Sequence, residues 1–152
     1  MSIRFSHTTL VAENWRRLSR FYVNAFDCEI VYPEIDMVGQ WLDESLNLKH
    51  TRVTGVSLRL PGYGKDEVRL EILAYQPTRK RRVAQINEPG SGRIAFTVKD
   101  VHEHGIRVIA SGGKAIGKYE NVVLPTVGVL RYQFYQDPEG NVLQIFRRDA
   151  IQ

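Results

Sequence analysis

Four polar residues, His7, Glu71, Arg93 and Gln144, carry types that could do chemistry together. An imidazole nitrogen and a carboxylate oxygen are donors for a borderline divalent cation, and the same carboxylate could move a proton beside a carbonyl. The Gln144 amide offers a neutral oxygen. Arg93 cannot ligate a cation, because its guanidinium stays protonated and has no lone pair to give. It can instead grip a carboxylate or another anion in two places, as can Arg59. These residues act as a set only if the fold turns them to one face, and a repeat in the sequence predicts that it does.

The sequence holds two similar halves. Residues 7–13 read as a strand that leads through Asn14 into a helical pattern, and residues 93–99 lead through Asp100 in the same way. Asn14 and Asp100 are good helix caps, since their side-chain oxygens accept from the unpaired amides of a first turn. Glu103, three residues after Asp100, strengthens the second start. Trp15, Leu18, Tyr22, Ala25 and Phe26 recur at helical spacing and predict an amphipathic helix of about three turns. The second helix is expected from Val101 to about Ala110, closed by Ser111, Gly112 and Gly113.

Strand patterns follow each helix, at 28–32, 54–60 and 68–75 in the first half and at 114–116, 129–136 and 141–146 in the second. Turns at 61–64 and 137–141 precede the last strand of each half. The predicted class is α+β, with two tandem βαβββ modules at 1–76 and 91–149 joined by a linker at 77–90. An extra stretch at 33–53, with Trp41 and Leu42 as its apolar content, is expected to fold over the open side of the sheet as a lid.

Alternation along the strands then sorts the side chains. Leu10, Ala12, Leu70 and Ile72, like Ile94, Phe96, Leu143 and Ile145, belong under the helices. His7, Thr9, Glu71, Arg69, Ser57 and Arg59 face the other side, as do Arg93, Gln144 and Phe146. Under the repeat, His7 corresponds to Arg93 and Glu71 to Gln144. Tyr75, Phe146 and one of Tyr132 or Tyr135 are expected to line the wall of the resulting cleft.

With His7-Thr8-Thr9-Leu10-Val11-Ala12, Leu18-Ser19-Arg20-Phe21-Tyr22, Leu70-Glu71-Ile72, residues 94–101 and Asp137-Pro138-Glu139-Gly140-Asn141, the chain resembles the vicinal-oxygen-chelate superfamily. That superfamily includes glyoxalase I, methylmalonyl-CoA epimerase, extradiol dioxygenases, and the fosfomycin- and bleomycin-resistance proteins. The resemblance spans nearly the whole chain and implies a concave, cleft-bearing sheet. In metal-using branches the four convergent positions are commonly His, Glu, His and Glu. It therefore implies His7, Glu71 and Gln144 as ligands of a divalent metal (Zn, Ni, Mn or Fe), with Arg93 at a usual ligand position. It further implies Glu71 as the catalytic carboxylate and Arg93 and Arg59 as substrate-binding groups for an anionic ligand.

The expected function is a glyoxalase-like enzyme of the lyase or isomerase type acting on a small carbonyl or acidic substrate. The alternative is a metal-free sequestration protein of the bleomycin-resistance type with a degenerate metal site. An extradiol dioxygenase is disfavoured, because Arg93 removes one of the two histidines that its iron requires. A homodimer is expected in either case.

Composition narrows the partners. The 152 residues hold 21 Lys and Arg against 17 Asp and Glu, a net charge of +4, and 43% are hydrophobic, proportions of an ordinary globular domain. The densest basic run, Arg79-Lys80-Arg81-Arg82, lacks interleaved aromatics and reads as solvated linker, so neither a nucleic acid nor a membrane is an expected partner. With no secretory signal pattern and a single cysteine, Cys28, the expected location is cytoplasmic. Cys28 reads as a small buried hydrophobe, and His50, His102 and His104 as solvated.

Overall fold

The computed structural model describes residues 2–82 and 85–150. The chain divides into two compact units, residues 1–81 and 82–152.

In the first unit the elements run β1 (His7–Val11), α1 (Trp15–Phe26), β2 (Glu29–Val38), α2 (Gln40–Leu46), β3 (Arg52–Arg59) and β4 (Arg69–Gln76). The sheet order is β1-β4-β3-β2, with β1 parallel to β4 and the other pairs antiparallel. The α1 helix starts where the sequence predicts, because Asn14 Oδ1 accepts the Arg17 N–H at 3.0 Å. Its apolar stripe, Leu18, Phe21, Tyr22 and Ala25, is buried with Val56, Leu58, Leu70 and Ile72 of β3 and β4.

The second unit repeats the pattern with β5 (Arg93–Thr97), α3 (Val101–Ala110), β6 (Lys114–Leu124), β7 (Gly128–Gln136) and β8 (Val142–Asp149). Its order is β5-β8-β7-β6, and β5 runs parallel to β8. Asp100 Oδ1 accepts the Glu103 N–H at 2.9 Å, as a cap should. Gly105 lets α3 lie close on β7, since a Cβ there would fall 2.2 Å from the Tyr135 hydroxyl. The 137–141 turn is knitted by Asp137, whose carboxylate accepts from the Glu139 and Asn141 backbone and from Asn141 Nδ2.

Two edge strands run well beyond the sequence patterns, and β8 continues three residues past its own, to Asp149. The second strand of each unit is an edge strand that continues past an irregularity, between Val31 and Ile35 in β2 and between Ile116 and Glu120 in β6. Pro33 sits inside the first, where an edge strand needs no ladder N–H, and Gly117, at φ 64°, sits inside the second. Proline and glycine therefore bend these strands without ending them.

The expected lid is correspondingly smaller. Residues 33–38 belong to β2, and only 40–46 form the helix α2. Leu42 packs with Val53 and Leu73, and Ile35, Met37, Leu46 and Tyr75 surround them. Register places Val53, Leu73 and Tyr75 on the same side of the sheet as Glu71. The helix is thus a fixed cover over one end of that face, seated by apolar burial. Among the described residues no helix is long and apolar enough to cross a membrane.

Candidate functional site

The open face of the first sheet brings His7 and Glu71 together as alternation predicts. Thr9 is the register partner of Glu71 across the parallel β1–β4 ladder. Its hydroxyl donates to Glu71 Oε1 at 3.3 Å, and His7 Nε2 lies 3.9 Å from the same oxygen. Ser6 Oγ sits 2.9 Å from His7 Nδ1 and can fix the ring. The His7 side chain is 45% exposed and that of Glu71 25%, so both groups remain open to an incoming molecule. Among the described residues Glu71 Oε2 has no hydrogen-bond partner.

Arg59 lies on the same face, opposite Arg69 on the neighbouring strand. Two guanidinium groups set directly across a ladder repel one another, and Glu67 bridges them. One carboxylate oxygen accepts from Arg59 at 2.7 and 3.1 Å, the other from Arg69 at 2.6 and 3.1 Å. Glu29 adds a third contact to Arg59 at 2.8 Å. Hydrogen bonds from Arg69 and then Arg59 hold the Glu67 carboxyl below its ordinary range. A substrate anion reaching Arg59 has to compete with Glu67 and Glu29.

In the second unit Arg93 opens β5, and its guanidinium carbon lies 5.0 Å from the centroid of the Phe134 ring, within cation–π range. Gln144 pairs in register with Ala95 on one side and Phe134 on the other. Tyr132 meets Phe134 edge-on at 5.7 Å. Phe134 is the residue the sequence reading missed, although alternation from Tyr132 identifies it. Tyr135 is on the opposite face, against α3, where it donates to Gln133 Oε1 at 2.9 Å and burial raises its pKa.

Register also aligns the two units. His7 and Arg93 are each the first residue of their strand, and each stands two residues before the partner of Glu71 or Gln144. The polar positions of the repeat are therefore equivalent within their own sheets.

The donor chemistry at His7 and Glu71 suits part of a site for a divalent ion, one borderline nitrogen and one carboxylate oxygen. Among the described residues no group of three or more His, Cys, Asp or Glu gathers.

Cys28 is 2% exposed, and burial, helped by Asp27, pushes its thiol up to about 12. At pH 8 the native protein is expected to resist a thiol-specific reagent and to react only once unfolded, because the thiolate is the nucleophile. Rapid stoichiometric labelling of folded protein would contradict the burial.

No protein-family model and no curated protein matches the chain. Solved structures do. A glyoxalase family protein from Bacillus cereus superposes with a TM-score of 0.75 at 19% identity, covering 97% of this chain and 95% of that one. A point variant of glyoxalase I from Zea mays gives 0.68 at 21% identity, covering 96% of this chain and 46% of the maize chain. The fosfomycin resistance protein FosX from Listeria monocytogenes, solved with Mn(II) and sulfate, gives 0.56 at 14% identity, covering 100% and 94%. At these identities the likeness is one of architecture, and it agrees with the repeated βαβββ order: the chain has the glyoxalase/bleomycin-resistance fold.

Proposed function

We propose that the chain is a glyoxalase-like small-molecule enzyme of the lyase or isomerase type, working as a cytoplasmic homodimer on a small carbonyl or acidic substrate. The observation that carries this reading is the His7–Thr9–Glu71 cluster on an open sheet face. Glu71 is the base. Thr9 holds Oε1, which leaves Oε2 to take a proton from carbon beside a carbonyl while the electron pair moves to the carbonyl oxygen. Returning that proton to the former carbonyl carbon, while the hydroxyl proton of the first carbon passes to the enolate oxygen and a new carbonyl forms at that first carbon, completes an isomerisation. Re-forming the original carbonyl with loss of a β leaving group completes a lyase reaction. Arg93, over Phe134, orients an acidic group of the substrate.

His7 and Glu71, with Gln144 as the neutral oxygen, are the ligands we assign to a divalent ion, which when bound would polarise substrate oxygens as a Lewis acid. FosX, solved with Mn(II) and with 1S,2S-dihydroxypropylphosphonic acid, lends support by analogy of fold. One observation favours the second reading, metal-free sequestration of an anionic ligand. The residue equivalent to His7 in the second unit is Arg93, a fixed cation that weakens the hold on any metal nearby.

Solvent deuterium exchange into thiol adducts of 2-oxoaldehydes and into hydroxy acids separates the two readings. The enzyme reading expects exchange that falls on the order of a hundredfold or more in Glu71→Gln, together with metal lost in His7→Ala. Ligand binding without exchange, unchanged in Glu71→Gln, would establish sequestration instead.

A further inference from the structure

On the helix side of the second sheet lies a cavity of about 360 Å³ lined by Lys99, Asp100, Val101, His102, Tyr119, Arg131, Arg147 and Asp149. Register places Arg131 opposite Arg147 on adjacent strands, on the face away from Gln144 and Phe134. Like charges so placed repel unless an anion lies between them. Asp149 supplies one internal anion: its carboxylate is clasped by Arg131 and accepts from Arg147 Nε at 3.0 and 3.1 Å. Arg147 Nη1 also donates to the Lys99 carbonyl at 2.7 Å, which ties the segment before α3 to the end of β8.

The charges do not cancel. Asp149 answers two guanidinium groups, and Asp100 is engaged as the cap of α3. The Lys99 ammonium has no carboxylate partner among the described residues. Three cations, Lys99, Arg131 and Arg147, therefore share the cavity with two carboxylates, Asp100 and Asp149, which leaves one positive charge in excess. The arginines are pre-positioned by their hydrogen bonds, so little side-chain freedom is lost when a ligand arrives. The volume exceeds that of a single tetrahedral oxyanion and fits a small ester.

We infer that this cavity is a binding site for a phosphate group, gripped by Lys99, Arg131 and Arg147, with Tyr119 lining the space for an organic substituent. Within the second unit it lies on the sheet face opposite Gln144 and Phe134.

Titration with inorganic phosphate and, in a second arm, with phenyl phosphate, followed by amide chemical shifts, tests the site. The expected result is saturable shifts at residues 99–102, 131 and 147, weakened by salt. Lys99→Gln is expected to lower the affinity about tenfold. Asp149→Asn, which removes the internal competitor, is expected to raise it by a similar factor, so the two variants move in opposite directions. Tighter binding of phenyl phosphate than of inorganic phosphate identifies an ester as the ligand, and the reverse order identifies free phosphate. No saturable shift, shifts centred on the 79–82 run, or an affinity indifferent to both Lys99→Gln and Asp149→Asn would overturn the assignment. Circular dichroism of both variants separates a lost contact from a lost fold.

Discussion

Replacing Gly55 by alanine is expected to destabilise the first unit by about 3 kcal/mol, in the upper range for overpacking a well-filled site. Gly55 lies in the middle of β3, opposite Leu73 on β4. A Cβ added there would fall 2.0 Å from the Ile72 carbonyl oxygen and 2.9 Å from Leu73 Cδ2. The first obstacle is backbone, so no rotamer change relieves it. The strand pair must separate, and the carbonyl it displaces follows Glu71 directly in the chain. Stability and the geometry of the Thr9–Glu71 hydrogen bond should therefore fail together. Urea unfolding measures the first effect, and the Glu71 carboxyl chemical shift the second. Gly92→Ala is the control, because a Cβ there meets nothing within 4 Å, and its stability should stay within about 1 kcal/mol of the parent. Equal midpoints for the two variants would show that β3 tolerates a side chain at 55.

Gly55 also marks what a sequence can and cannot reveal. Its alternation position is readable, but the close approach of Ile72 is a property of two strands and has no local signature. The helices α1 and α3 were legible because their signals are local, whereas α2, which has no side-chain cap, was not. Asn14 and Asp100 cap α1 and α3 as their types predict, and α3 ends at Ala110. The order of elements along the chain was legible through the repeat, while strand length and the order of strands in each sheet were not. Pro33 and Gly117 punctuate a sequence as breakers, yet an edge strand accommodates each at an irregularity and resumes beyond it.

The polar face follows the same division. Alternation places His7 and Glu71 on one side of one sheet, and their side chains meet at 3.9 Å. It also places Arg59 there, but not its company. Glu67 precedes β4 outside any periodic segment, and Glu29 reaches Arg59 only through the β2–β3 register. Long-range register decides which charges are already paired. The same register brings Phe134 beside Gln144 and gives the Arg93 guanidinium an aromatic ring to lie over.

The equivalence of His7 with Arg93 and of Glu71 with Gln144 leads to the largest expected change in binding. Arg93→His combined with Gln144→Glu should raise affinity for nickel or zinc by at least about a thousandfold, roughly 4 kcal/mol. Two effects act in the same direction. On the proposed site the change removes a permanent cation, and repulsion of an ion by such a charge at an effective dielectric of about 20 is worth some 4 kcal/mol at a separation of about 4 Å. It also supplies an imidazole nitrogen and a second carboxylate, donors that bind such ions far better than an amide does. Loss of the stacked guanidinium from Phe134 costs only about 1 kcal/mol at an open position, so the variant should remain folded. Isothermal titration of parent, single and double variants gives the decisive comparison. One tight ion per chain in the double variant, lost again on His7→Ala, means that the equivalent positions of the repeat serve a common centre. Equal affinity across the series means that the residues at 93 and 144 serve the ligand without serving a metal, and sequestration becomes the better account of the fold in this chain.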